Sequence, residues 1–284
     1  MIPANVQAWL EEKGYGEVRQ SRAVGGGCIS NGARLVTQSG ETFFLKTNTH
    51  TPQDMFAREA EGLQALRGAN GPRTPEPYLW GADFLLLEDL NPAARQADYW
   101  LAFGRQLAAL HACTADAFGF ENDNYIGSTP QPNRRRADGY AFFANERLGF
   151  QARLAQRKGL LSKEQAQAVY RLAEGLPEWI PEQPASLIHG DLWSGNAIAD
   201  EQGQPALIDP AAYYGWAEAE LAMTALFGGF PAAFYDAYQE ARPLQPGWRE
   251  RFPLYNLYHL LNHLNLFGGG YLGQVLAILR KFAG

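Results

Sequence analysis

Residues 187–210 read LIHGDLWSGNAIADEQGQPALIDP, and this stretch limits the fold more than any other part of the chain. Its apolar runs, SLIH, NAIA and PALID, are too short for helices, and DEQGQ between the last two is a glycine-containing turn. The simplest structure is a loop followed by a hairpin. Asp191 and Asn196 then lie in the loop, and Asp209, 18 residues past Asp191, ends the second strand. Three oxygen-bearing side chains suit Mg²⁺, a hard ion that takes one or two carboxylates together with phosphate oxygens. An Asp in a polar loop also serves to deprotonate or orient a hydroxyl. The order of parts matches phosphoryl transfer: an Asp that takes the acceptor's proton, an Asn five residues on, and a second Asp that holds metal against the nucleotide. An Asx-rich turn without chemistry is the alternative.

The surrounding chain reads as two unlike halves. PANVQAWLEEKG has helical spacing and stops at Gly14; EVRQSRAV is a strand; GGGCISNG is a loop. ARLVTQ and TFFLKT form a hairpin across Ser-Gly. TPQDMFAREAEGLQALRG is a helix with Pro52 in its first turn, an apolar side of Met55, Leu63 and Leu66, and Gly68 at its end. YLWG and FLLLEDL are two further strands. From ADYWLAFGRQLAALHA onward the pattern is helical, apart from a long polar loop, FGFENDNYIGSTPQPNRRR, and the stretch 187–210 itself. The expected fold is therefore α+β and bilobal: a small N-terminal sheet lobe with one main helix (1–90) and a larger, mostly helical C-terminal lobe (91–284), with a ligand cleft between them.

Three upstream features fit that cleft. Gly25, Gly26, Gly27 and Gly32 lie between the first two strands, where a loop would cover phosphates, although the spacing is not G-x-G-x-x-G and a plain hairpin turn is the alternative. Lys46 ends TFFLK, either as a phosphate contact or as a solvated strand end. Glu59 lies 13 residues on, placed to hold Lys46, with Glu61 as a competitor.

Composition excludes several other classes. A net charge of -6 is wrong for a nucleic-acid binder, and Arg134-Arg135-Arg136 reads as a solvated loop. Two cysteines, Cys28 and Cys113, are too few for a disulfide framework, and Cys113 is expected to be buried. Glu11 and Glu12 interrupt any signal-peptide core, and no apolar run approaches the ~18 residues that span a bilayer. A cytoplasmic protein without a nucleic-acid or membrane partner is expected. His259 and His263 in HLLNH lack the Glu of a metalloprotease motif and read as core histidines; His189 reads as a prop for its loop, and His111 as a packing or capping residue. Phe142, Phe143, Tyr255 and Tyr258 read as core.

HGDLWSGN with IDPAAYYG resembles the fructosamine kinase (ketosamine-3-kinase) family, in the aminoglycoside-phosphotransferase and choline-kinase branch of the protein-kinase-like fold. GGGCIS, FLKTN, MFAREAEGLQAL, NYIGSTPQPN, LAMTALFGGFP and LLNHLNLFG are also similar, and the likeness runs from about residue 18 to the C-terminus. The resemblance implies that Asp191 is the catalytic base, that Asn196 and Asp209 hold Mg²⁺, and that Lys46 contacts ATP phosphates and pairs with Glu59. It implies a phosphate-covering loop over residues 25–32 and a hinge at Glu88 through Leu90 whose backbone meets adenine. Trp193 and Ser194 would shape the sugar side. The implied reaction is ATP-dependent phosphorylation of a small-molecule or protein-linked ketosamine at its 3-hydroxyl, after which the amine is released. A monomer is expected. Two departures bear on the acceptor: RRRADGYAFF replaces a Trp-rich segment over Arg136 to Tyr140, and Trp216 stands where His follows Tyr-Gly. The alternatives are a kinase of another amine-bearing alcohol, and a nucleotide-binding regulator without catalysis. Cys28 lies in the phosphate loop and is either a small residue that fits or a redox-sensitive thiol.

Overall fold

In the computed structural model, which describes residues 2–25 and 31–282, the first helix, α1 (Ala4–Glu12), is followed by three antiparallel strands, β1 (Val18–Val24), β2 (Asn31–Thr37) and β3 (Thr42–Thr47). Helix α2 (Met55–Arg67) and strands β4 (Pro77–Trp80) and β5 (Phe84–Glu88) complete a five-stranded sheet of order β1-β2-β3-β5-β4. Both faces of this sheet are covered. Side chains alternate across a strand, so Phe43 and Leu45 turn toward Val6 and Leu10 of α1, with Leu35, Phe84 and Leu86. Phe44 turns the other way and packs on Phe56, Ala60, Leu63, Leu85 and Leu87. That double burial is why FLLL in β5 is apolar at every position and not merely at alternate ones.

Helix α2 begins at Met55, not near Pro52, whose carbonyl instead accepts the Met55 N–H at 3.1 Å from the preceding turn. Met55, Leu63 and Leu66 are buried on one side, and Gly68 ends the helix as the sequence suggests.

After β5 the chain crosses to α3 (Tyr99–His111), and β6 (Thr114–Ala115) follows. The segment read as a long polar loop carries its own hairpin, β7 (Asn124–Ile126) and β8 (Thr129–Gln131). Its Asn124, Gln131 and Asn133 are buried. Polarity misled here because these amides satisfy one another and nearby carbonyls in place of water. Arg134 and Arg135 are exposed, but Arg136 forms a two-pronged contact with Glu146 at 2.9 and 2.7 Å and is only half-exposed.

Helix α4 (Gly139–Phe142), a π-helical turn (Phe143–Gly149) and α5 (Phe150–Arg157) run on from one another. Helices α6 (Lys163–Glu174) and α7 (Leu176–Trp179) come next, α6 opened by a Ser162–Gln165 capping box. Then come β9 (Ala185–Ile188), the hairpin β10 (Ala197–Ala199) and β11 (Pro205–Leu207), and β12 (Tyr213–Gly215). Helices α8 (Ala217–Leu226), α9 (Ala232–Ala241), α10 (Trp248–Phe267) and α11 (Leu272–Phe282) close the chain. The last helix was not distinguished in the sequence; Gly268, at φ 85°, ends α10 ahead of it.

The larger core lies here, and Phe142, Phe143, Tyr255 and Tyr258 belong to it. So does Trp216, whose ring is enclosed by Phe118, Tyr140, Phe143 and Tyr255. Trp216 is thus a packing residue of this core. Cys113 is half-buried, not buried. Gly104 lets α3 and α9 approach closely, since a Cβ there would collide with the Phe234 carbonyl. No helix among the described residues is long and apolar enough to cross a membrane.

Candidate active site

Strand β9 is buried at all four positions and delivers His189, Gly190 and Asp191 to its end. Gly190 has φ 84°, and a Cβ there would collide with the Ala211 carbonyl, so only glycine lets the two segments cross. His189 Nε2 lies 2.8 Å from the Ile208 carbonyl, and its Nδ1 accepts the Asp191 N–H at 3.3 Å. That pattern fixes a neutral ring with the proton on Nε2, and burial depresses its pKa accordingly. His189 props the loop, as the sequence suggests.

Asn196 donates to the Asp191 carbonyl at 2.8 Å and to Asp191 Oδ2 at 3.3 Å. Its own carbonyl receives the Ile208 N–H at 3.1 Å, so loop and hairpin close on each other. Asp209 follows at φ 58°, a left-handed conformation that Asp tolerates better than most residues and that turns its carboxylate back toward the sheet. There Lys46 pairs with both Asp209 and Glu59. Strand register explains the reach: Lys46 stands opposite Gly32 on one side and Leu85 on the other, on the face of β3 that looks at α2. Burial opposes the charge on Lys46, but the carboxylates of Asp209 and Glu59 outweigh it and its pKa is raised. Glu61, the competitor, instead accepts from Arg58 and Asn122.

Asp191 is pushed up to about 7, first by burial and then by the charge of Asp209, with the Asn196 bond pulling the other way. A carboxyl poised near neutrality is a good proton acceptor for a hydroxyl. For a cation the donor set is suitable: Asn196 spends its amide N–H groups on Asp191, and its Oδ1 accepts no hydrogen bond among the described residues. Asp209, whose side chain is 39% exposed, already holds the Lys46 ammonium. Oxygen donors of this kind fit Mg²⁺.

The remaining sequence-derived positions are less concentrated. The side chain of Glu88 accepts from Arg73 at 2.6 Å and from the Glu76 N–H at 3.1 Å, so it is engaged on the β4 side of the sheet. Leu90 is buried, and Asp89 between them pairs with Arg34 of β2. Gly25 is exposed with open space around it. Gly26, Gly27 and Cys28 lie outside the described residues. Trp193 is half-buried and Ser194 exposed at the rim of the Asp191 loop. The crossing after β5 is fixed to the β10–β11 hairpin: the Ala93 and Gln96 N–H groups bond Asp200 and Gly203 carbonyls at 3.1 Å each, and Arg95 reaches the Ala197 carbonyl at 3.1 Å.

One residue that sequence reasoning missed organises the Asp191 loop. Glu220 of α8 is fully buried and accepts the Gly190 N–H at 2.7 Å and the His189 N–H at 3.1 Å. Its Oε2 also meets His111 Nε2 at 2.9 Å, and His111 Nδ1 meets the Tyr238 hydroxyl at 2.7 Å. Burial alone would raise Glu220, yet the His111 and backbone donors hold it below the usual carboxylate range. The signal was present: Glu218 and Glu220 interrupt the apolar run WAEAELAMTALF, and a carboxylate in a wholly buried helix needs partners. Glu218 finds Arg251 at 2.8 and 2.7 Å.

A family model described as fructosamine kinase matches residues 1–283. The chain belongs to the fructosamine kinase family. Fructosamine kinase relatives include a probable ketoamine kinase of Synechocystis, 44% identical over 93% of this chain and 90% of its own. A chloroplastic protein-ribulosamine 3-kinase of Oryza sativa subsp. indica is 40% identical over 98% of this chain and 83% of its own. Among solved structures, a candidate fructosamine-3-kinase from Thermobifida fusca superposes with a TM-score of 0.87 at 34% identity, covering 97% of each chain. The α+β architecture described above is accordingly the protein-kinase-like one, a sheet-based N-terminal part and a helical C-terminal part.

Proposed function

We propose that this fructosamine kinase family member transfers the γ-phosphoryl group of ATP to the 3-hydroxyl of a ketosamine, with Asp191 as the proton acceptor. Kinase membership supplies ATP as donor. The observation that carries the site assignment is that Lys46, held by Glu59, meets Asp209 from 163 residues away, while Asn196 holds Asp191 in the loop just before, where the charge of Asp209 is felt. In this reading residues 1–90 bind nucleotide and residues 91–284 carry the base and the acceptor. Lys46, held by Glu59, turns from Asp209 to the phosphates; the Glu88–Leu90 backbone meets adenine; the loop from Gly25 covers the phosphates. Asn196 and Asp209 would hold Mg²⁺, which when bound neutralises phosphate charge. Asp191, kept in place by Asn196 and by the His189–Glu220 frame, takes the proton from the attacking hydroxyl. Phosphorylation then destabilises the sugar–amine adduct, and the amine is released, a repair of glycation.

A substrate panel read as ADP release tests this directly. Fructosamine-lysine and ribulosamine-lysine should give ATP-dependent turnover. Background-level ADP with both, beside turnover on an aminoglycoside or choline-like alcohol, would overturn the ketosamine reading and leave the ATP chemistry standing.

A further inference from the structure

Helix α2 carries Glu59, and the hairpin β7–β8 grips the opposite side of that helix. Asp54 stands at the N-terminus of α2 without capping it, and its carboxylate instead accepts the Tyr125 hydroxyl at 2.7 Å. Glu61 accepts the Asn122 amide at 2.7 Å. Residues 54 and 61 are seven apart, two helical turns, and so share one face; Glu59, two residues from Glu61, is turned about 200° from it, toward Lys46. The two contacts therefore fix how far α2 rolls about its axis.

The same segment also grips the backbone just after Asp209. Asn124 donates to the Ala212 carbonyl at 2.8 Å and Gln131 to the Ala211 carbonyl at 3.0 Å. Asn124 and Gln131 are bonded to each other at 2.7 Å, and Gln131 accepts the Tyr258 hydroxyl at 2.6 Å. The helix also passes close to this segment: a Cβ at Gly62 would lie 3.4 Å from side-chain atoms of both Pro210 and Ala212.

We propose that the segment from Asn122 to Gln131 is a positioning strap, which holds α2 and the Asp209–Ala212 backbone in one register so that Glu59 and Asp209 stand where a single Lys46 ammonium meets both. Asn122 and Tyr125 are positioning residues that act through α2 and touch no reacting atom. The strap is part of the fold and gives the site its nucleotide-binding geometry without a separate activating event. This inference rests on the ATP-kinase reading above.

The test compares the parent with Asn122→Ala/Tyr125→Phe, following KM for ATP, KM for the ketosamine and deuterium uptake across α2. Loss of two bonds to carboxylates should raise KM for ATP about tenfold and speed uptake in α2, with KM for the acceptor near parental. Asp54→Asn/Glu61→Gln keeps an acceptor oxygen at both places and should remain close to the parent. Should the double variant not fold, Tyr125→Phe alone, which keeps the ring, should show the same change at a smaller size. Parental KM for ATP together with parental α2 uptake would overturn the strap, and so would equal losses for ATP and acceptor that Asp54→Asn/Glu61→Gln shares. Uptake is measured without turnover, so the strap is judged even if the parent phosphorylates no ketosamine, a result that would instead strike the kinase reading.

Discussion

Asp191 and Asp209 are both carboxylates of one loop and hairpin, yet their surroundings assign them different work. Asp191 is held by Asn196 and lifted toward neutrality by burial, whereas Asp209 is more exposed and ion-paired. Asp191→Asn keeps the shape and removes the proton acceptor, so kcat should fall ~10²–10⁴-fold with Mg-ATP affinity near parental. Asp209→Asn removes a charged ligand, so nucleotide affinity and kcat should fall together. Calorimetry of Mg-ATP binding beside single-turnover phosphorylation separates the two; equal loss of nucleotide binding in both variants would refute the division of roles. These residues were legible in the sequence because their spacing follows a short loop and hairpin. Lys46 and Glu59 were legible because a strand and the helix after it face each other. His259 shows another side of burial. It is neutral in α10, its Nδ1 has no hydrogen-bond partner among the described residues, and its pKa is lowered to about 3 by burial and then by His263 and Arg147. The unfolded chain takes up a proton near 6.5 and the folded one not until about 3, so its contribution is complete above 6.5 and is lost as pH falls through that window. At pH 5 the loss is about 2 kcal/mol. In urea melts at pH 7.5 and pH 5, His259→Leu should narrow the stability gap between the two by about that amount; an unchanged gap would show that His259 is not held neutral.

Among the elements, α8 does what no local pattern announces. It presents Glu220 to the backbone of the Asp191 loop from 30 residues downstream. Glu220→Gln would set an amide N–H₂ among N–H donors in a dry site, where an unmet donor costs about 1–3 kcal/mol. If the loss falls on the geometry of Asp191, kcat should drop about tenfold or more with KM for ATP little changed; a parental kcat would remove Glu220 from the positioning of the base. The β7–β8 hairpin was illegible for a related reason. Asn, Gln and Asp at such density read as solvent-facing, and only tertiary contact shows that Asn124, Gln131 and Asn133 pair inward, with Arg147 donating to Asn133 at 2.7 Å. The start of α2 was misplaced because Pro52 suits a first turn equally well just outside one. Strands β1 to β5 and the apolar sides of α1 and α2 were readable, since alternation and helical periodicity are local properties.

For the molecule as a whole, the segment from Arg136 to Tyr140 is the place to ask about acceptor preference. Arg136 is committed to Glu146, and Tyr140 donates its hydroxyl to the Ile180 carbonyl at 2.7 Å while its ring lies against Trp216. Arg136 and Tyr140 are therefore already engaged within the protein, and we expect this segment to press little on the sugar. Pentose-derived ketosamines should be used at least as well as hexose-derived ones. A kcat/KM for fructosamine-lysine more than about tenfold above that for ribulosamine-lysine would refute this.

Lys46 and Asp209 meet across 163 residues, and Arg73 reaches Glu201 across 128. No contiguous piece of the chain shorter than that span contains the paired charges, and neither the sheet portion nor the helical portion is a smaller version of the whole. Shuffling, truncation or circular rearrangement must keep both ends of that span in one molecule or bring two fragments back together.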